Sequence, residues 1–238
     1  DYRTCFFVLG ACALCALCAL VLMPKPPAPA APAAATAPSP TTPATARHAH
    51  FAPLLQNKVL WLVVVCTFCA AMGYGLIFSF AATYIDAHFA ALNSGLYFTV
   101  LGIGGLVGNP LAGWISDRIN QKTELSICLV CMGLGLGSLC LVPLGVAALY
   151  ASGVLVGLSY AGVITSAQSL TSSCTLQQHR ATAFAFQQNA IDLGIALASS
   201  AFGVIFASVG ASSSFPFIGQ GALVIMIGIV VILSARKR

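Results

Sequence analysis

The sequence predicts an all-α protein that crosses a membrane many times, and three observations lead there. First, 59% of the residues are hydrophobic and only 6% are charged, against roughly 25% charged in ordinary soluble domains. Second, the apolar residues fall into seven runs, each near the roughly 20 residues that a helix needs to cross about 30 Å of hydrocarbon. Third, the few charges gather where those runs end. The net charge of +5 does not indicate nucleic acid, because the cations stand singly at segment ends and form no basic face with aromatics between them.

The first run covers residues 6–23 and reads as a true span rather than a cleaved leader, since Arg3 is the only basic residue before it. The chain starts at Asp1, not at Met, and reads as part of a longer protein. Residues 24–57 change to Pro, Ala and Thr, the composition of a linker. His48 and His50 lie there without a third ligand nearby and read as solvated side chains. Residues 58–238 hold the remaining spans. The second runs over 58–85, with Lys58 and Trp61 at its interface and Asp86 and His88 beyond its far end. The third, 94–115, contains Gly104-x-x-x-Gly108, which permits close helix approach, and Asn109-Pro110, which predicts a kink. The fourth covers 125–142, the fifth 144–174 with Gly153-x-x-x-Gly157, the sixth 181–209 and the seventh 217–234.

Between the third and fourth spans stands Gly113-Trp-Ile-Ser-Asp117-Arg118-Ile-Asn120-Gln121-Lys122, a knot of charge in an almost uncharged chain. Alternating the loops across the membrane places Lys25, Arg47, Lys58, Arg118, Lys122, Arg180, Arg236, Lys237 and Arg238 on one side and only Arg3 on the other. Short cytoplasmic loops are rich in Lys and Arg. The linker, the charged loop and the C-terminus are therefore expected in the cytoplasm.

In that frame Gly113-x-x-x-Asp117-Arg118-x-Asn120-x-Lys122 resembles the loop motif Gly-x-x-x-Asp-Arg-x-Gly-basic-basic of the major facilitator superfamily. That family has two six-helix halves joined by a long cytoplasmic linker. This chain is similar to helix six, the linker and helices seven to twelve, a partial chain of a twelve-helix bundle. Arg180 followed by Asn189-Ala-Ile-Asp192-Leu-Gly194 is similar to the family's eleventh helix. The resemblance implies a secondary transporter of the cytoplasmic (inner) membrane that moves a small solute by alternating access. Export is read ahead of import, with antiport and protons as the expected coupling, no cofactor, and an N-terminal half as the missing partner. It makes Gly113, Asp117, Arg118 and Lys122 gate residues. Two positions depart from the motif: Asn120 replaces Gly and is expected to keep a left-handed turn, and Gln121 replaces the first basic residue. Thr123 is the expected cap of the following helix, with Glu124 in its first turn. The different reading is a non-transporting half-length accessory or sensor protein.

For the solute, Asp192 is the one acid deep in a span, about 18 Å past Arg180 at about 1.5 Å per residue. A carboxyl buried at mid-membrane, as expected here, is costly and marks a coupling or binding site. Gln188, Asn189 and Ser199 lie on or near its face of the helix. Tyr160, Gln168 and Ser172, with Thr171 alongside, form a second polar stripe, and Tyr74, Phe78, Tyr97 and Phe98 add an aromatic wall. The substrate cavity is thus assigned to Tyr74, Tyr160, Gln168, Gln188 and Asn189.

Three enzymatic or metal readings fail. Gly157-Leu-Ser159-Tyr-Ala161 is close to a nucleophile motif, but no histidine lies at the depth of Ser159. No lysine inside a span is available for a Schiff base. The ten cysteines include three clusters at x-x spacing, Cys12-x-x-Cys15-x-x-Cys18, Cys66-x-x-Cys69 and Cys128-x-x-Cys131, yet their neighbours are Ala, Leu, Val and Phe, so they read as small apolar filler and not as zinc ligands.

Overall fold

The computed structural model describes residues 56–89 and 92–236. They lie within one unit of the chain, Ala46–Arg238, and every regular element in them is helical. The helices are α1 (Lys58–His88), α2 (Ser94–Ser116), α3 (Gln121–Ser138), α4 (Val146–Cys174), α5 (Arg180–Val209) and α6 (Phe215–Arg236). Short 3-10 segments, Leu139–Leu144 and Gln177–His179, follow α3 and precede α5. All six helices are long and apolar enough to cross a membrane. The expected span at 6–23 and the linker with His48 and His50 lie outside the described residues.

Three helices start on asparagine, which accepts hydrogen bonds from amides that have no partner in a first turn. The Asn57 side chain accepts from Val59 (3.0 Å) and Leu60 (3.3 Å), while its amide nitrogen donates to the Cys174 carbonyl (2.8 Å) and ties α1 to the end of α4. Asn93 accepts from Gly95 and Asn120 from Lys122. The last contact corrects two expectations. Asn120, not Thr123, caps α3, and its backbone is extended (φ −63°, ψ 129°), not left-handed. Helix α3 therefore begins at Gln121 and not near 125. Helix α2 continues through Pro110 to Ser116.

Burial of apolar surface gives membrane helices little reason to associate in lipid, so they depend on close van der Waals approach. Glycine supplies it at three seams. On α2, a Cβ at Gly104 would stand 2.6 Å from the Val154 carbonyl oxygen of α4, and one at Gly108 would stand 2.6 Å from that of Leu158. Between α3 and α6, Gly133 and Gly221 each press on the other's carbonyl, with a Cβ at 2.5 and 2.7 Å. Between α1 and α5, Gly75 meets the Ile195 backbone and Gly194 meets the Phe68 carbonyl. The dominant pairings are accordingly α2 with α4, α3 with α6, α1 with α5 and α3 with α4.

Polar side chains lock these contacts. Fully buried Tyr84 donates to the Leu139 carbonyl (2.9 Å) and meets the Ser214 hydroxyl (2.7 Å), joining α1, the 3-10 turn and the start of α6. Gln220 of α6 donates to the Cys69 carbonyl of α1 (2.9 Å), and Ser126 of α3 donates to the Gly228 carbonyl of α6. Net gains near 1 kcal/mol are typical of one such bond. Cys66 is fully buried in the apolar core, in keeping with its reading as filler.

Candidate functional site

Helices α1, α4 and α5 leave one polar and aromatic wall open. Near the middle of α5, Gln188 donates to an Asp192 carboxylate oxygen across one turn (3.0 Å), and Gln188, Asn189 and Asp192 are all exposed. This corrects the expectation of a buried carboxyl. Asp192 sits at the expected depth along its helix, but its face is not covered by any other described helix. Ser199, two turns further, shares a hydrogen bond with Ser79 of α1 (2.8 Å) and continues the wall.

On α4, the Tyr160 ring stacks on Tyr74 of α1 with centroids 4.1 Å apart and planes 8° apart. Phe78 follows at 5.8 Å from Tyr74, and Phe98 at 5.8 Å from Phe78. Asp192 lies one turn before Ile195, whose backbone packs against Gly75, the neighbour of Tyr74. The structure thus brings Tyr74, Tyr160 and Asp192 into one region. Tyr97 does not join them: it is fully buried, with its ring packed where a Gly153 side chain would stand. Thr171 also turns inward, donating to the Gln187 amide oxygen (2.9 Å).

Two hollows indent this wall. One, of about 530 Å³, is lined by Gln168, Phe184, Ala185, Gln187 and Gln188. The other, of about 290 Å³, is bordered by Tyr74, Tyr160, Gly102, Gly105, Asn109 and neighbouring apolar residues. Gln168 and Gln188 were legible from helical spacing. Gln187, Asn109, Ser79 and Thr165, which donates to Asn109 (3.2 Å), were not singled out as wall residues. The spacing Gly102-x-x-Gly105-x-x-x-Asn109 was the available signal, since positions three and seven apart share one helical face.

The charged loop is arranged differently. Asp117 is the residue that ends α2, and the Arg118 guanidinium lies 4.0 Å from the Trp114 ring centroid in a cation–π contact. Among the described residues nothing stands where a Gly113 side chain would project. Lys122 contributes its backbone amide to the Asn120 cap. Gln121, in place of a basic residue, donates to Ser169 of α4 (2.7 Å) and fastens the loop to the bundle. Glu124, expected as a helix-start charge, is 1% exposed, and among the described residues neither carboxylate oxygen meets a donor in good hydrogen-bond geometry. Ser159 spends its hydroxyl on the Leu155 and Val156 carbonyls of its own helix, which accounts for it without chemistry. Among the described residues no group of three His, Cys, Asp or Glu side chains is placed to hold a metal ion.

Comparison with known proteins identifies the family and the fold. The family model described as Major Facilitator Superfamily matches residues 1–199 and, in a second match, 64–238. An uncharacterized MFS-type transporter of Bacillus subtilis, YwfA, is 28% identical over 162 residues, covering 67% of this chain and 39% of that protein. A crystal structure of a bacterial homolog of the human lysosomal transporter Spinster, inward-facing and unoccupied, superposes with a TM-score of 0.58 at 19% identity. It covers 74% of this chain and 42% of its own. The chain thus spans about two fifths of the length of these relatives. The matches cover both the charged loop and the Asp192 wall, and the chain belongs to the major facilitator superfamily of transporters, not to an enzyme family.

Proposed function

We propose that these residues form the C-terminal six-helix half of a secondary transporter that moves a small solute across the cytoplasmic membrane by alternating access. The open wall of Tyr74, Tyr160, Gln168, Gln188, Asn189 and Asp192 faces the solute, and the absent N-terminal half closes over it. The observation that carries this reading is Asp192. A carboxylate at the middle of an apolar helix is costly in a membrane protein unless it faces a partner or an aqueous cavity, and here it faces outward from the described helices and accepts a hydrogen bond from Gln188.

The same residue is the proton-coupling group, because it is the one carboxyl side chain at mid-span among the described residues. Gly113, Asp117, Arg118 and Lys122 form the cytoplasmic gate loop. Support for that side comes from charge: Lys58, Arg118, Lys122, Arg180 and Arg236 all stand at the helix ends that share one face in an up-and-down bundle. Export is the working direction.

The test is flux. The protein expressed from its complete reading frame and reconstituted in vesicles is expected to drive solute against its gradient when a pH gradient is imposed, in a screen of radiolabelled small solutes. Collapse of the pH gradient by a protonophore is expected to stop accumulation. Accumulation that is insensitive to the protonophore removes protons from the mechanism.

A further inference from the structure

Helix α2 carries two sets of glycines that do different things. Gly104 and Gly108 are required by packing, since a methyl group at either meets the α4 backbone. Gly102 and Gly105 are not. A Cβ at Gly102 would meet nothing within 4 Å, and one at Gly105 would rest 3.7 Å from the Gly157 carbonyl, an ordinary contact. Glycine weakens a helix relative to alanine, so two glycines that packing among the described residues does not demand need another cause. With Asn109 they lie on the face that borders the 290 Å³ hollow between α1, α2 and α4, and side chains there would fill it.

The hollow has a defined chemistry. The stacked Tyr74 and Tyr160 rings form one wall, Leu101 and Ile164 supply apolar sides, and the carboxamide of Asn109 is the remaining polar group. Its size is at the lower end of the roughly 300–1,000 Å³ typical of ligand pockets, enough for one ring system. Charge is equally selective. Among the described residues every Lys and Arg stands at or beside a helix end, whereas the exposed Asp192 lies one turn before Ile195, whose backbone packs against Gly75, the neighbour of Tyr74. Aromatic faces attract cations, and an unscreened carboxylate repels anions.

We propose that this hollow seats the planar ring of an organic cation, with Asp192 balancing its charge. The proposal rests on the transporter reading and adds the solute's chemical class. Its test is a fluorescence titration of the whole transporter in detergent with N-methylquinolinium, a planar monocation. Quinoline-2-carboxylate serves as the planar anion and cyclohexyltrimethylammonium as the non-planar cation. Saturable binding of N-methylquinolinium is expected, with the anion at least about tenfold weaker and the non-planar cation weaker because its bulk does not enter the hollow. Gly102→Leu fills the hollow and is expected to weaken binding at least about tenfold without lowering the melting temperature. Gly219→Leu, at an exposed α6 position with equal open space, is expected to bind like the parent. If Gly102→Leu lowers the melting temperature, Gly102→Ala is judged by the same comparison.

Parent-like affinity in the filled variant, equal binding of the anion, or no binding by the parent overturns the proposal. None of these results touches the transport reading, which stands or falls on the flux measurement.

Discussion

Asp192→Asn abolishes accumulation driven by a pH gradient and leaves solute exchange down a gradient in place. The asparagine oxygen still accepts the hydrogen bond that Gln188 donates to the carboxylate, so the local helix keeps its geometry. Stability is expected to change by no more than about 0.5 kcal/mol, as for substitutions at exposed positions. What is lost is a proton-exchanging group, since an amide neither takes up nor releases a proton in this range. The measurement is uptake into vesicles with and without a pH gradient, beside counterflow exchange in the same preparation. Loss of both activities would make Asp192 a positioning residue for the solute instead. Loss of neither would remove it from the mechanism.

Gly157→Val is expected to destroy the α2–α4 seam. A Cβ at this position collides with the Leu101 carbonyl and comes within 3.0 Å of the Gly105 amide, both backbone atoms that cannot rotate away. The two helices must separate, which also opens Gly104 and Gly108. Overpacking of a close-packed interior costs about 1–3 kcal/mol and sometimes more. With backbone on both sides, about 3 kcal/mol or more is expected here. Gly137→Ala is the contrasting variant. It meets nothing within 4 Å and is expected to stabilise α3 by up to about 1 kcal/mol through helix propensity. Melting temperature and monodispersity in detergent measure both. A parent-like Gly157→Val protein would mean that α2 and α4 are not held by this contact.

How much of this was legible in the sequence follows from what each signal encodes. Apolar length is a direct consequence of bilayer thickness, so the spans in residues 58–236 emerged with boundaries close to those observed. The start of α3 was the exception. Lys122 looked like loop because it is charged, and Glu124 like an exposed charge of a first turn capped by Thr123, but the Asn120 cap sets the first turn and Glu124 is taken inside the bundle. Small-x-x-x-small patterns announced close approach without naming a partner. Which helices meet depends on three-dimensional fit, as in the Gly133–Gly221 contact, for which no single run carries information.

The site shows the same division. Asp192, Gln188 and Gln168 stand out because polar groups in apolar helices are conspicuous. Tyr97 and Phe98 are adjacent and equally aromatic, and only packing decides that the first is buried while the second reaches Phe78. The Gly102 and Gly105 face was overlooked because the packing glycines Gly104 and Gly108 on the same helix offered a sufficient reason for glycine.

The most direct test of the central claim is two-sided access to the wall. Ser199, exposed on α5 beside Ser79, is changed to cysteine in a complete transporter whose native cysteines have been replaced. It is then labelled with a membrane-impermeant maleimide applied from either side of oriented vesicles. Alternating access predicts labelling from both sides, with solute or a pH gradient raising one rate while lowering the other. Labelling from one side only, unchanged by solute and by pH, would contradict it.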